Sequence, residues 1–204
     1  MKKPPSAPPQ VLFIPLALFL CVAIGVVIIL RSSRLPASSN QSPETNSTNL
    51  VRVAGQWCWP GGTNPFTGIL VERYPNGALE SRSVVSNGLL EGQSEGWYTN
   101  SQMQVQEYYH TNYSNGPRTK WYPSGKKLSE ATIVLGKMEG TFRRWYENGR
   151  LAEEIPMHEG KIEGLARSYY ESGFQKTELT MHAGNVIQNL NWPDNQHPGP
   201  GPDK

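Results

Sequence analysis

Residues 140 to 164 read Gly-Thr-Phe-Arg-Arg-Trp-Tyr-Glu-Asn-Gly-Arg-Leu-Ala-Glu-Glu-Ile-Pro-Met-His-Glu-Gly-Lys-Ile-Glu-Gly, and this run returns in degenerate form along most of the chain. Tyr74, Tyr98, Tyr122, Tyr146 and Tyr170 stand 24 residues apart, as do Gly68, Gly92, Gly116, Gly140 and Gly164. A further column reads Gly88, Asn112, Gly136, Gly160 and Gly184. Before each Tyr stands Arg73, Trp97, Trp121, Trp145 or Tyr169. An unbroken period of this length marks a repeat architecture, in which one unit stacks on the next to bury what neither buries alone.

The punctuation inside one unit specifies two strands. In Tyr-Pro-Asn-Gly, beginning at Tyr74, Pro presets φ at the first central position of a turn and Gly takes the left-handed position that closes a bulged hairpin. The second glycine column brackets the link to the next unit, so the expected fold is an all-β, elongated, single-sheet antiparallel meander of five hairpin repeats over residues 68–190. With a bulge at the turn glycine, Trp145 falls opposite Leu151. Period-two alternation then gives it a face shared with Ile155 and Met157, with Glu130, Glu154 and Glu178 pointing away. The Tyr column is expected on the other surface with Leu70, Phe142, Ala166, Arg118 and Ser94, half wet, its hydroxyls reachable by solvent.

These residues resemble MORN-type repeats, and more closely the bacterial MORN-variant repeat of YwqK-like antitoxin components. Trp145, Tyr146, Asn148, Gly149, Leu151, Glu154, Gly160, Lys161 and Gly164 carry the resemblance best. The second unit departs from it with Ser101 and Asn112, and the first with Arg73. The resemblance implies a scaffold and binding repeat, and an antitoxin-like regulator of a partner toxin as the alternative.

Outside the repeats the chain divides by composition. Residues 1–10 read as a short tail, and Val11 to Leu30 is an uncharged apolar run. At 1.5 Å per residue it is about 30 Å long, which predicts a transmembrane helix retained as an anchor rather than a cleaved signal. Residues 31–50 read as a flexible Ser/Asn/Thr/Pro linker, 51–67 as a capping segment with Cys58 buried in it, and 191–204 as a disordered Pro/Gly-rich tail beyond the sealing Trp192-Pro193. The expected placement is therefore single-pass in the cell membrane, with the repeats outside the cytoplasm. The chain holds 20 Gly and 17 Pro, about 18% together against roughly 12% on average, which excludes a mainly helical protein.

Charge and motifs narrow the function. Residues 51–190 carry 14 Lys plus Arg against 14 Glu and no Asp, so no positive field exists to hold nucleic acid. His158 and His182 sit in equivalent positions one unit apart. Across a sheet that is about 10 Å, too far to share a zinc with ligand distances of about 2.1 Å. Glu130, Glu154 and Glu178 recur with recurring surroundings, whereas an acid–base pair needs two different environments. The sequence has no nucleophile elbow or phosphate-binding loop. The expectation is a non-enzymatic scaffold without cofactor or metal, binding a protein or other extended ligand. Its candidate contact residues are the aromatic columns Tyr74, Trp97, Tyr98, Trp121, Tyr122, Trp145, Tyr146, Tyr169 and Tyr170.

Overall fold

Two kinds of turn build the sheet, one at each end of the strands. In the computed structural model, which describes residues 42–196, each repeat Tyr donates its amide to the carbonyl four residues on, and the turn Gly donates back to the Tyr carbonyl. Tyr146 N to Arg150 O is 2.9 Å and Gly149 N to Tyr146 O is 2.9 Å. The same pair of bonds forms at Tyr74, Tyr98, Tyr122 and Tyr170, with Ser101 adopting the positive φ that glycine takes elsewhere. At the opposite end, Asn87-Gly88, Thr111-Asn112, Leu135-Gly136, Glu159-Gly160 and Ala183-Gly184 all have positive φ at both residues. That is the two-residue turn whose twist suits a hairpin.

The strands are β1 (Glu44–Asn46), β2 (Val51–Val53), β3 (Gln56–Cys58), β4 (Gly68–Arg73), β5 (Leu79–Ser86), β6 (Leu89–Trp97), β7 (Met103–His110) and β8 (Tyr113–Ser114). They continue as β9 (Gly116–Trp121), β10 (Lys127–Val134), β11 (Lys137–Trp145), β12 (Leu151–His158), β13 (Lys161–Ile162), β14 (Gly164–Tyr169), β15 (Gln175–His182) and β16 (Asn185–Asn191). Fourteen form one sheet in the order β1-β4-β5-β6-β7-β9-β10-β11-β12-β14-β15-β16, with β8 paired to β7 and β13 to β12; β2 and β3 form a separate hairpin.

The structure corrects the expected architecture in five places. The sheet is mixed, because β1 pairs parallel with β4, Thr45 opposite Leu70. Between them the chain passes through a 3-10 turn, Ser47–Asn49, and the β2–β3 hairpin, and so returns in the same direction. Residues 44–50 are accordingly not linker. Glu72 accepts from Asn46 Nδ2 at 3.0 Å and from Ser47 N at 3.3 Å, and Leu50 is buried. Residues 191–196 likewise belong to the last repeat, where Trp192 N donates to Lys176 O at 3.0 Å and Ser172 bonds Asp194. The preceding transmembrane helix has no counterpart here. Among the described residues no helix is long and apolar enough to cross a membrane, and residues 1–41, the apolar run included, lie outside them, as do 197–204.

The fifth correction concerns which side chains share a face. Trp145 does pair with Leu151, but Arg144 pairs with Glu153, so Ala152 is an extra residue. One extra residue reverses the parity of everything beyond it. Glu154 therefore pairs with Arg143, two residues before Trp145 on the same face, and Ile155 pairs with Phe142 on the Tyr side. The same shift occurs at Arg73–Leu79, Trp97–Met103, Trp121–Lys127 and Tyr169–Gln175.

The core is correspondingly split. Leu50, Phe66, Leu70 and Val85 form one cluster with Trp57 and Leu90 packed on it. Phe66 is wholly buried and meets Trp59 edge to face at 5.3 Å. Burying one such ring contributes roughly 1.5–3 kcal/mol. The hairpin is fixed there by backbone bonds from Trp57 N to Gly88 O, Gly88 N to Phe66 O and Phe66 N to Trp57 O, at 2.7–2.8 Å. Cys58 is a buried free thiol. A second cluster, Trp145, Leu151 and Tyr169, lies on the other face.

Candidate functional site

The Tyr column is not a free ladder of hydroxyls. Each phenol donates to a backbone carbonyl, four of them in the next repeat and the last in the segment that closes the sheet: Tyr74 to Trp97 at 2.7 Å, Tyr98 to Trp121 at 2.9 Å, Tyr122 to Trp145 at 2.9 Å, Tyr146 to Tyr169 at 2.7 Å and Tyr170 to Trp192 at 3.0 Å. All five bonds are part-buried. Burial pushes the phenol of Tyr146 above its ordinary pKa, and burial does the same to Tyr169. The rings thus brace unit to unit.

The column before it divides. Trp145 and Tyr169 are buried core residues, whereas Trp97 and Trp121 are half-buried. The Lys127 ammonium lies 5.1 Å from the Trp145 ring centre, a cation–π contact that also positions the lysine over this face.

On that face the cross-strand register brings charged residues into a single row. It runs Asn46, Val71, Arg82, Glu95, Gln106, Thr119, Glu130, Arg143, Glu154, Arg167, Glu178 and Leu190, one residue from each successive strand of the main path. From Glu130 to Glu178 the signs alternate. Arg143 lies 3.5 Å from Glu130 and 2.8 Å from Glu154, Arg167 lies 3.3 Å from Glu178, and Lys127 is 3.1 Å from Glu130. The hydrogen bond that Arg143 donates to Glu154 holds its guanidinium above the ordinary pKa. These side chains are 25–40% exposed, fixed by one another yet reachable. Beside the row a shallow groove of about 430 Å³ is lined by Thr119, Thr132, Thr141, Pro117, Glu130 and Arg143 among others. A surface of this kind offers donors and acceptors at the strand spacing of about 4.8 Å, a repeat suited to an extended partner.

The histidines have a different task. His110, His158 and His182 bond Glu91, Glu139 and Glu163 through Nδ1 at 2.8, 2.9 and 2.6 Å. The other oxygen of each carboxylate accepts the amide of the next residue, Thr111, Glu159 or Ala183, which stands at positive φ. Each pair therefore clamps a connecting turn. The amide of Glu159 and then His158 hold Glu139 below its usual range, while the Glu139 bond raises His158. For Glu91 and Glu163 the histidine bond is the chief cause of the lowering. Among the described residues no three His, Cys, Asp or Glu side chains group as metal ligands.

Sequence reasoning missed the arginine and threonine members of the row as site residues. A signal was present, because Thr119, Arg143 and Arg167 form a 24-residue column in antiphase with Glu130, Glu154 and Glu178.

Residues 138–159, one full hairpin of β11 and β12, match the family model described as the MORN repeat variant. The chain carries a MORN-type repeat. A comparison with curated proteins finds none that matches. The hairpin so matched contains Trp145, Tyr146, Arg143 and Glu154, so the MORN-variant unit supplies both the inter-repeat brace and the charged row.

Proposed function

We propose that this protein is a non-enzymatic repeat scaffold that binds an extended segment of a protein partner along the charged row. The carrying observation is the row itself: alternating, mutually held, partly exposed charges repeated strand by strand beside a threonine-lined groove. Spreading affinity over many similar contacts suits a stacked architecture, whose extended surface grows with each unit. The Tyr face is the weaker candidate, since its hydroxyls are committed to backbone carbonyls. A toxin is one partner that would fit the antitoxin resemblance, and deleting the gene alone and together with its neighbours tests that identity.

The location of the surface is tested by photo-crosslinking in the full chain. A photoreactive residue replaces Thr132 or Thr141 beside the row, or Lys120 on the Tyr side. We expect a discrete adduct from the threonine positions that disappears when Arg143→Glu and Arg167→Glu are combined. Adducts from Lys120 alone, or threonine adducts indifferent to the reversals, would refute the assignment.

A further inference from the structure

We infer that the edge at β16, which pairs with no further strand among the described residues, is a self-association surface that takes a second copy of this chain, β16 against β16 about a two-fold axis. All seven residues of Asn185–Asn191 are exposed, with Val186 at 59%, Ile187 at 64% and Leu190 at 39%. An outer strand with unpaired amides and carbonyls is a template for another strand. Soluble proteins usually blunt it with lysine, proline or a very short strand. Of β16's seven residues, none is charged and none is proline.

The geometry selects the occupant. Trp192 N points inward, to Lys176 O, so alternation along an antiparallel ladder turns the backbone groups of Asn191 and Asn189 outward. The extra residue Ile187, between the partners of Thr180 and Met181, leaves Gln188–Asn191 as the straight pairing stretch. Pairing two such stretches antiparallel sets uncharged residues opposite one another in any two-fold register, with no like-charge repulsion. The repeat region adds none, carrying 14 positive and 14 negative residues over 51–190. At the other end of the sheet β1 is three residues long and runs parallel, a blunted edge that disfavours head-to-tail addition. Closed pairs rather than filaments result. So short a contact falls below the roughly 1,200 Å² of a standard interface, which makes the pairing weak and readily reversible.

Sedimentation of the full chain over a concentration series from about 1 to 500 μM, where weak, reversible pairs become populated, tests this. We expect a monomer–dimer equilibrium that weakens at least tenfold with Asn189→Lys and with Asn189→Pro, which removes an outward amide only. Val51→Lys, in the hairpin at the far end, should leave it unchanged, and all variants should keep the parent melting temperature. A chain that stays monomeric throughout, association indifferent to both Asn189 substitutions, or a β16 edge that pairs with a different protein in preference to itself would overturn the inference.

Discussion

Replacing Tyr122 by Phe removes one oxygen and leaves the ring. The lost bond is the 2.9 Å donation to the Trp145 carbonyl, which joins the third repeat to the fourth. A hydrogen bond of this kind contributes about 0.5–1.5 kcal/mol net. Because the site is part-buried, water partly replaces the donor, and the lower half of that range applies, about 0.5–1 kcal/mol. With a urea dependence near 2 kcal/mol per molar, the unfolding midpoint should fall by about 0.3–0.5 M. The melting temperature should fall by about 1–4 °C. Equilibrium urea unfolding followed by far-UV circular dichroism and Trp fluorescence measures it, and Tyr146→Phe repeats it one unit along. Partner binding should be unaffected in both variants. Midpoints equal to the parent within error in both, with binding lost, would show that the hydroxyls serve a ligand and that the bracing argument is wrong.

Three further outcomes are expected. Phe66→Ala should cost about 3–5 kcal/mol in urea unfolding, since it empties the centre of a wholly buried cluster. Gly88→Ala should destabilise clearly more than Gly136→Ala in thermal melts. Both residues have φ near +80°, but a Cβ at Gly88 would stand 2.8 Å from Trp57 O and one at Gly136 meets nothing. By NMR titration His158 should deprotonate above its ordinary pKa of about 6.5 and return towards it in Glu139→Gln. Its contribution to stability is complete below about pH 6.5 and lost as pH rises through the folded pKa. That of Glu139, held low, is complete above about pH 4.5 and lost as pH falls through its own, so the clamp is tightest between the two.

Turns were legible because they are written in residues that few others replace. Tyr-x-Asn-Gly marked the bulged hairpin and the pairing of Trp145 with Leu151, and the second glycine column marked where the link to the next unit falls. Face assignment was not legible, because Ala152 is an ordinary strand residue and nothing in its chemistry announces a bulge, yet it inverts Glu154 and Ile155. The clamps were hidden for another reason. His158 and Glu139 lie 19 residues apart and meet only once the strand order is known. Nor did polar composition separate Glu44–Asn46 from a linker, since that strand is secured chiefly by Glu72 and by pairing to β4.

A single-layer sheet has to hold itself together without a second layer to pack on, and this one divides the work between its faces. The Tyr side uses its hydroxyls to join one unit to the next and sets its own cross-strand ion pairs, Glu107–Arg118 and Arg144–Glu153, beside them. The Trp side buries Trp145 and Tyr169 at the turn end and sets its charges one strand apart. Exposed ion pairs of this sort contribute little to stability, typically below about 1 kcal/mol each. A row of charged residues kept in register over five strands while stabilising the fold so weakly is better accounted for by what it can hold than by what it holds together.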